Sequence, residues 1–152
     1  MPETASILLI RHGQSTWNEA GRWQGRQDPP LTPFGVRQAR AAAEVLGTFD
    51  LIAASNLDRA VTTAGVIADA LGIGPVVTDA DLAERGAGPW EGKTRVEIED
   101  EYPGWLADGR RPDGYETDES LLARSTVALG RIAATVAGGT ALVVSHGGVI
   151  HN

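Results

Sequence analysis

Residues 6–13 read SILLIRHG, a short apolar run that ends in an arginine, a histidine and a glycine. Residues 140–148 read TALVVSHGG and repeat the arrangement, with an apolar run followed by a histidine and two glycines. Continuous apolar runs of this length are typical of strands that are buried on both faces of a parallel sheet. We therefore predict that each segment is a buried strand with polar residues at its carboxyl end.

The chain between these two runs alternates between strand and helix patterns. Two further strands are expected at Asp50–Ser55 and Pro75–Thr78. Caps, apolar periodicity and glycine stops predict four helices. They are Thr32 or Pro33 to about Leu46, a helix after Ser55 that carries apolar residues from Ala60 to Leu71 and stops at Gly72, one near Thr94 to Tyr102, and Thr117 or Asp118 to Gly138-Gly139. The alternation predicts an α/β protein, a three-layer α/β/α sandwich with a mostly parallel central sheet.

Two local details of these helices are also predicted. Ser55 and Asp58 resemble a capping box at the start of the second helix, with Asp in place of the usual Glu or Gln. In the last helix, Leu122, Leu129 and Val136 are expected to form the buried stripe.

Composition bounds the classes of function. The sequence has 152 residues, enough for one domain, a formal net charge of −7 and no cysteine. The lack of cysteine excludes disulfides and cysteine catalysis, and the net acidity argues against a nucleic-acid binder. No segment of the sequence is typical of a signal peptide or a membrane span. These features predict a cytoplasmic protein that has neither nucleic acid nor membrane as a partner.

Chemically active residues follow the predicted strands. Parallel sheets bind ligands at the carboxyl ends of their strands, where we expect Arg11, His12, Arg59, Glu84 and His146 to meet. Two imidazoles, two guanidiniums and one carboxyl group suit a phosphate ester. The guanidiniums would grip phosphoryl oxygens, and their charge would lower the pKa of the His12 imidazole and keep it neutral.

A division of labour follows from these residue types. We predict that His12 is the nucleophile and that Glu84 is the proton donor to the leaving group. Gly13 and Gly147 have no Cβ, so the backbone there is expected to approach a ligand closely. Arg59 falls in the first turn of a helix, where the dipole disfavours a cation unless an anion is bound.

Each residue alone also has a purely structural explanation. A lone histidine after a strand is usually a hydrogen-bonded structural residue, and tryptophans such as Trp23 and Trp90 are usually buried. A metal site built from His12, His146 and a carboxylate is conceivable. Two neighbouring arginines would repel a divalent cation, so we favour the phosphate site.

Five blocks of the sequence, in this order, resemble the histidine phosphatase superfamily, also called phosphoglycerate mutase-like. They are RHGQSTWN (11–18), GRWQGRQDPPLTPFG (21–35), SNLDRAVTTA (55–64), LAERGAGPWEG (82–92) and VVSHGG (143–148). The resemblance implies the phosphoglycerate mutase-like fold over a single domain, residues 1–152, and a small phosphorylated metabolite as the partner. The resemblance also implies that the protein needs no cofactor or metal, and it is compatible with a homodimer.

The resemblance also implies roles for individual residues. His12 matches the histidine that is phosphorylated, and Glu84 matches the proton donor. The phosphate contacts implied are Arg11, Asn18, Gln24, Arg59, His146 and Gly147.

The sequence departs from the family pattern in two places. Members usually continue beyond the SHGG block with further helices and a strand, whereas this sequence ends at Asn152 and is expected to lack those elements. In DGYETDES (113–120), Asp118 stands where relatives often have the glycine of a Gly-Glu-Ser motif. That segment is expected to influence substrate choice.

Three functions remain open from the sequence. The first is a phosphatase that hydrolyses a small phosphomonoester, which the Gly88–Gly92 run (GPWEG) favours. The second is a mutase that returns the phosphoryl group to the same class of substrate. The third is an inactive phosphate-binding relative.

Overall fold

A four-stranded sheet forms the centre of the protein. The computed structural model describes residues 4–151. Met1–Glu3 and Asn152 lie outside the described residues, and with them the expectations about the chain ends. The strands are β1 (Ser6–Arg11), β2 (Leu51–Ser55), β3 (Val77–Asp79) and β4 (Thr140–Ser145). They are ordered β1-β4-β2-β3, and every neighbouring pair is parallel. The predicted sheet is therefore confirmed, although β3 begins two residues later than expected.

Seven α-helices accompany the sheet within the described residues. They are α1 (Thr16–Ala20), α2 (Pro33–Val45), α3 (Asp58–Leu71), α4 (Arg95–Glu101), α5 (Trp105–Asp108), α6 (Asp118–Thr135) and α7 (Gly147–Ile150). The four predicted helices correspond to α2, α3, α4 and α6. The three others have four or five residues each, too few for apolar periodicity to mark them.

The connections explain why both faces of the sheet are covered. The chain crosses from β1 to β2 and from β2 to β3 in one direction, and returns from β3 to β4 in the other. Because parallel crossovers are right-handed, a reversal of direction puts the connecting helix on the opposite face. Accordingly α2 and α3 pack on one face and α6 on the other, which makes the predicted three-layer sandwich.

The face under α2 and α3 is built largely from alanine. Ala39 and Ala43 of α2 and Ala60, Ala64 and Ala68 of α3 are all buried against the sheet. Because alanine side chains are small, the backbones of these helices lie close to the sheet, and the layer is densely packed without large side chains. A buried apolar face of this kind holds the strand ends in place.

The predicted stripe of α6 is confirmed in part. Leu121, Ser125, Ala128 and Ile132 are buried; of the predicted residues, Val136 is buried and Leu129 packs against the same core, whereas Leu122 is 54% exposed. The predicted stripe repeated every seven residues, and such a repeat drifts around a straight α-helix of 3.6 residues per turn. The observed spacing of four, three and four residues keeps one face on the core.

The predicted capping box at the start of α3 is wrong. The N-cap residue is Leu57, which has no side-chain cap. Instead, Asp28 Oδ1 accepts a hydrogen bond from the Asp58 N–H at 2.7 Å, so the cap comes from a distant loop. This leaves the Ser55 hydroxyl available for another role.

Within residues 4–151, no helix combines the length and hydropathy that crossing a bilayer requires.

Candidate active site

The strand order places two histidines side by side. β1 and β4 are neighbours with Arg11 opposite Ser145, so the residues that follow, His12 and His146, leave the sheet together. The His12 N–H donates to the Ser145 carbonyl at 3.2 Å, which extends the ladder by one residue. The two imidazole centroids lie 5.1 Å apart.

His12 is held in one tautomer. Its Nδ1 lies 2.6 Å from the Gly13 carbonyl, and because a carbonyl can only accept, Nδ1 carries the proton. The lone pair is therefore on Nε2. Burial lowers the pKa of His12 to about 4; the Gly13 hydrogen bond opposes this, and the charges of Arg59 and Arg11 add to it. The lowered pKa was predicted, but burial rather than the arginines is its largest cause.

His146 is fully buried and is held in the complementary tautomer. Its Nε2 lies 2.7 Å from Ser55 Oγ, and that oxygen accepts from the Leu57 N–H at 3.1 Å. Among the described residues, the buried Ser55 hydroxyl has no other acceptor for its own hydrogen, so that hydrogen points to Nε2, which places the ring proton of His146 on Nδ1. Burial, followed by the charge of Arg59, lowers the pKa of His146 to about 2.

Arg59 is fully buried at the start of α3. Its Nη1 donates to the Gln27 carbonyl at 2.8 Å, and its Nη2 donates to the Gly25 carbonyl at 3.0 Å. Burial lowers the pKa of Arg59, while the charges of Glu84 and Asp28 oppose that change. Two backbone carbonyls thus fix a guanidinium beside the histidines.

Two buried donors are left without a partner at this point. Among the described residues, three buried side-chain atoms lack a hydrogen bond: Arg59 Nε, His146 Nδ1 and Trp90 Nε1. Burying an unpaired donor costs roughly 1–3 kcal/mol, so two in one small region call for an acceptor. The His12 and His146 rings lie 5.1 Å apart, and Thr63 links the Gly13 N–H to the Arg59 carbonyl, so these groups share one region. A tetrahedral anion would satisfy both donors.

Glu84 is close enough to Arg59 for its charge to oppose the lowering of the Arg59 pKa. Its Oε1 accepts from the Arg85 N–H at 2.7 Å, and its Oε2 accepts from the Gly148 N–H at 3.3 Å. A Cβ on Gly148 would lie 2.2 Å from Glu84 Oε1, so only glycine permits this approach. Glu84 also lines a cavity of about 220 Å³ that includes Trp23, Gln24 and Tyr115.

Ser15 orients the two amide residues suggested by the resemblance. Asn18 Oδ1 accepts from the Ser15 N–H at 2.9 Å in a capping box of α1, and Gln24 Oε1 accepts from Ser15 Oγ. Both amide oxygens are therefore engaged, and both NH₂ groups remain as donors. Asn18 lines a second cavity with Arg11 and His12, while Gln24 lines the one beside Glu84.

The structure gives the glycines of the two strand ends different surroundings. A Cβ on Gly13 would lie 2.4 Å from the Gly35 carbonyl oxygen, so Gly13 is required where the β1 end packs on α2, and it also lines the cavity with Arg11 and His12. Gly147 begins α7 and has open space at its Cβ position, with His151 Cδ2 at 4.0 Å. Arg11 is exposed at the end of β1.

The family follows from comparison of the whole sequence. The profile of the histidine phosphatase superfamily (branch 1) matches residues 7–152. The chain belongs to this superfamily. Its four-stranded parallel sheet agrees with the structural relatives described next, so the fold expected from the resemblance is confirmed.

Members of the superfamily with different activities are similar to this chain. It is 39% identical to the probable phosphoglycerate mutase GpmB of an Enterobacter species, over 93% of this chain and 69% of the relative. It is also 39% identical to the metal-independent phosphoserine phosphatase of Arabidopsis thaliana, over 97% of this chain and 66% of the relative. The chain thus spans about two thirds of the length of these relatives.

A solved phosphatase structure is also similar to this chain. The mycobacterial glucosyl-3-phosphoglycerate phosphatase, solved as a complex with VO3, superposes with a TM-score of 0.86 and 34% identity. The match covers 93% of this chain and 75% of that one.

Several residues that support the candidate site were not predicted from the sequence. Ser55 was interpreted as a helix cap, and Thr63 was not considered, although its Oγ1 accepts from the Gly13 N–H at 3.0 Å. Arg124 and Glu116 were also missed. A signal for Arg124 was present, because it lies on α6 between the buried Leu121 and Ala128, where a cation is unusual.

Within residues 4–151, no three His, Cys, Asp or Glu side chains are grouped so that they could hold a metal ion.

Proposed function

We propose that this histidine phosphatase superfamily member hydrolyses a small phosphomonoester through a phosphohistidine at His12. The observation that carries the proposal is the pair of unpaired buried donors, Arg59 Nε and His146 Nδ1, beside the free lone pair of His12. A phosphoryl group would accept from both donors while its phosphorus faces His12 Nε2. Preorganised donors of this kind stabilise charge that develops in a transition state.

In the first step, His12 Nε2 forms a bond to phosphorus while the bond from phosphorus to the ester oxygen breaks. Arg59, His146 and Arg11 stabilise the phosphoryl oxygens, and the carboxyl proton of Glu84 passes to the leaving oxygen. The low pKa of His12 keeps its lone pair free at neutral pH. The products are an alcohol and phosphohistidine, with Glu84 left as a carboxylate.

In the second step, a water molecule attacks the phosphohistidine. Glu84 accepts a proton from the water as its oxygen bonds to phosphorus, and the bond from phosphorus to Nε2 breaks. Inorganic phosphate leaves, His12 regains its lone pair, and Glu84 is again protonated. Asn18 and Gln24 would donate their NH₂ groups to the substrate.

The relatives support hydrolysis without deciding the substrate. Two of the similar proteins are phosphatases by name, one for phosphoserine and one for glucosyl-3-phosphoglycerate. A mutase remains the second candidate because the similar Enterobacter protein carries that name. The two activities differ in whether water or a second substrate molecule takes the phosphoryl group from His12.

The test is turnover of 4-nitrophenyl phosphate with and without a chelator. We expect turnover that resists the chelator and falls by about a thousandfold or more in His12→Ala, because the nucleophile is lost. His151→Ala is the matched control and should retain full activity, since His151 is exposed at the end of α7. Turnover that requires a divalent metal would contradict the phosphohistidine mechanism.

Acid-labile phosphate on His12 after rapid quenching would identify the intermediate. The mutase alternative is tested with 3-phosphoglycerate and a bisphosphoglycerate primer. Formation of the isomeric phosphoglycerate at a rate above phosphate release would replace hydrolysis with transfer.

A further inference from the structure

Arg124 binds a turn of the backbone rather than the cavity. Its Nη1 donates to the carbonyls of Asp81 and Ala83 at 2.8 and 2.7 Å, and its Nη2 donates to the carbonyl of Glu84 at 3.0 Å. The two remaining N–H groups donate to Glu116. All five donors of the guanidinium are therefore used within the protein.

Glu116 locks Arg124 in this position. Its two carboxylate oxygens accept from Arg124 Nε and Nη2, each at 2.8 Å, in a two-pronged pair. Ser120 Oγ and the Gly86 N–H donate to the same carboxylate. Burial alone would raise the pKa of Glu116, but hydrogen bonds from Arg124, Ser120 and Gly86 lower it to about 2. A bidentate ion pair fixes the orientation of both partners, and the further hydrogen bonds hold the carboxylate in place. Arg124 therefore has little freedom to move.

The turn that Arg124 holds carries the proton donor. Arg124 reaches three of the four carbonyls from Asp81 to Glu84, and Arg26 Nε adds a bond to the Glu84 carbonyl at 2.7 Å. Among the residues that the structure describes, the hydrogen bonds to the Glu84 carboxyl come only from the backbone N–H groups of Arg85 and Gly148. Its position therefore depends on where the turn places its backbone.

We propose that the Arg124–Glu116 pair is the positioning device for the proton donor, fixing the Glu84 backbone so that its carboxyl faces the ester oxygen. The inference rests on the role proposed for Glu84. Neither Arg124 nor Glu116 contacts the phosphoryl group in this assignment, and both act through the turn. A small displacement of a catalytic group is costly because proton transfer requires hydrogen-bond distance.

A positioning role for the proton donor has a signature that a general structural role lacks. The 4-nitrophenolate group leaves readily without a proton. Phenolate is a poorer leaving group, so its departure depends more strongly on a proton donor. Phenyl phosphate and 4-nitrophenyl phosphate are otherwise similar in shape and present the same phosphoryl group to His12. A defect confined to Glu84 therefore slows phenyl phosphate selectively, and a damaged phosphate site or a misfolded protein slows both esters.

The experiment compares kcat/KM for the two esters in Arg124→Met and Glu116→Gln. Glu84→Gln is the reference, with phenyl phosphate slowed by about a hundredfold or more. For Arg124→Met we expect phenyl phosphate to slow by about 10- to 100-fold and 4-nitrophenyl phosphate by no more than about threefold. Glu116→Gln keeps the size of the side chain and should show the same split, with a smaller amplitude.

Arg131→Met is the matched control. Arg131 lies on the same helix and binds Asp79 and Asp81, next to the same turn, but through their side-chain carboxylates rather than backbone carbonyls. It should show no split between the esters. An equal loss for both esters in Glu116→Gln, or a split in Arg131→Met as large as in Arg124→Met, would overturn the proposal.

Amide hydrogen exchange separates this inference from the proposed function. The Arg85 N–H donates to Glu84 Oε1, so release of the turn in Arg124→Met should accelerate exchange of that amide, and Arg131→Met should not. If exchange is accelerated in Arg124→Met but the wild type hydrolyses neither ester, the positioning role of the Arg124–Glu116 pair is supported and the phosphatase proposal is refuted. If the wild type hydrolyses both esters and exchange is unchanged in Arg124→Met, only the positioning role is refuted.

Discussion

Ser55 illustrates how one hydroxyl can set the chemistry of a neighbouring ring. Its oxygen accepts from the Leu57 N–H, and among the described residues its hydrogen has no acceptor other than His146 Nε2, so the hydrogen is directed to that nitrogen. The ring proton of His146 must then be on Nδ1, the buried nitrogen without a partner. A histidine that donates to phosphate while remaining neutral requires this arrangement, because the pKa of His146 is too low for a second ring proton at neutral pH.

Replacing Ser55 with alanine should remove the hydrogen bond that selects the Nδ1–H tautomer of His146. We expect Ser55→Ala to lower kcat/KM for 4-nitrophenyl phosphate by about 10- to 100-fold, as the loss of a supporting hydrogen bond to an active-site histidine does elsewhere. The ¹⁵N spectrum of the His146 ring should change from one tautomer to a mixture. Ser125→Ala removes another buried hydroxyl, one that donates to the Leu121 carbonyl within α6, and is the control. Equal losses in the two variants would argue against tautomer control.

At the scale of elements, the end of β1 and the start of α2 pack backbone against backbone. A Cβ on Gly35 would lie 2.1 Å from the Gln14 carbonyl oxygen, and one on Gly13 would meet the Gly35 carbonyl. Neither neighbour is a flexible side chain that could move aside. Thr63 completes the junction, since it accepts from Gly13 and donates to the Arg59 carbonyl, which links α3 to the loop after His12.

A methyl group at this junction should separate the two elements. We expect Gly35→Ala to lower the free energy of unfolding by about 1–3 kcal/mol, because overpacking against backbone cannot relax locally. Gly65→Ala is the matched control in α3, where an added Cβ meets nothing within 4 Å. It should raise stability by about 0.5–1 kcal/mol, since alanine favours the helix. Urea unfolding measures both; a stable Gly35→Ala would disprove the close packing.

At the scale of the whole molecule, the buried histidines link stability to pH. The pKa values of His12 and His146 are lowered from 6.5 to about 4 and about 2, so the unfolded chain binds protons that the folded protein does not. Stability therefore rises with pH wherever this difference exists, and falls as the pH drops below about 6.5. The low pKa of Glu116 acts in the same direction, but only below its ordinary value of 4.5.

Between pH 6.5 and 4.5 the histidines should dominate this dependence. We expect the free energy of unfolding to fall with decreasing pH, with a slope approaching about 1.4 kcal/mol per pH unit for each histidine. Urea unfolding at several pH values measures it. The double variant His12→Asn/His146→Asn should lose most of the slope, whereas His151→Asn should keep it because His151 is exposed. A wild-type slope near zero would mean that neither pKa is lowered by folding.

Local patterns in the sequence determined much of this protein. Short apolar runs predicted β1, β2 and β4, and Thr32 with Pro33 predicted the start of α2, because strand burial and helix caps act over a few residues. The types of residue after each strand predicted a phosphate site, since ligands gather at the carboxyl ends of a parallel sheet. Where a pattern was longer, as in the α6 stripe, local reasoning placed Val136 and Leu129 correctly but put the exposed Leu122 in the core.

Only the tertiary structure decided the order of the strands and the hydrogen-bond partner of each group. The order β1-β4-β2-β3 makes His12 a neighbour of His146 and His146 a neighbour of Ser55. The cap of α3 by Asp28 and the grip of Arg124 on the Glu84 turn likewise join residues far apart in the chain. The sequence alone does not identify such partners, because a buried donor binds whichever acceptor packing brings within hydrogen-bond distance, and packing depends on the whole fold.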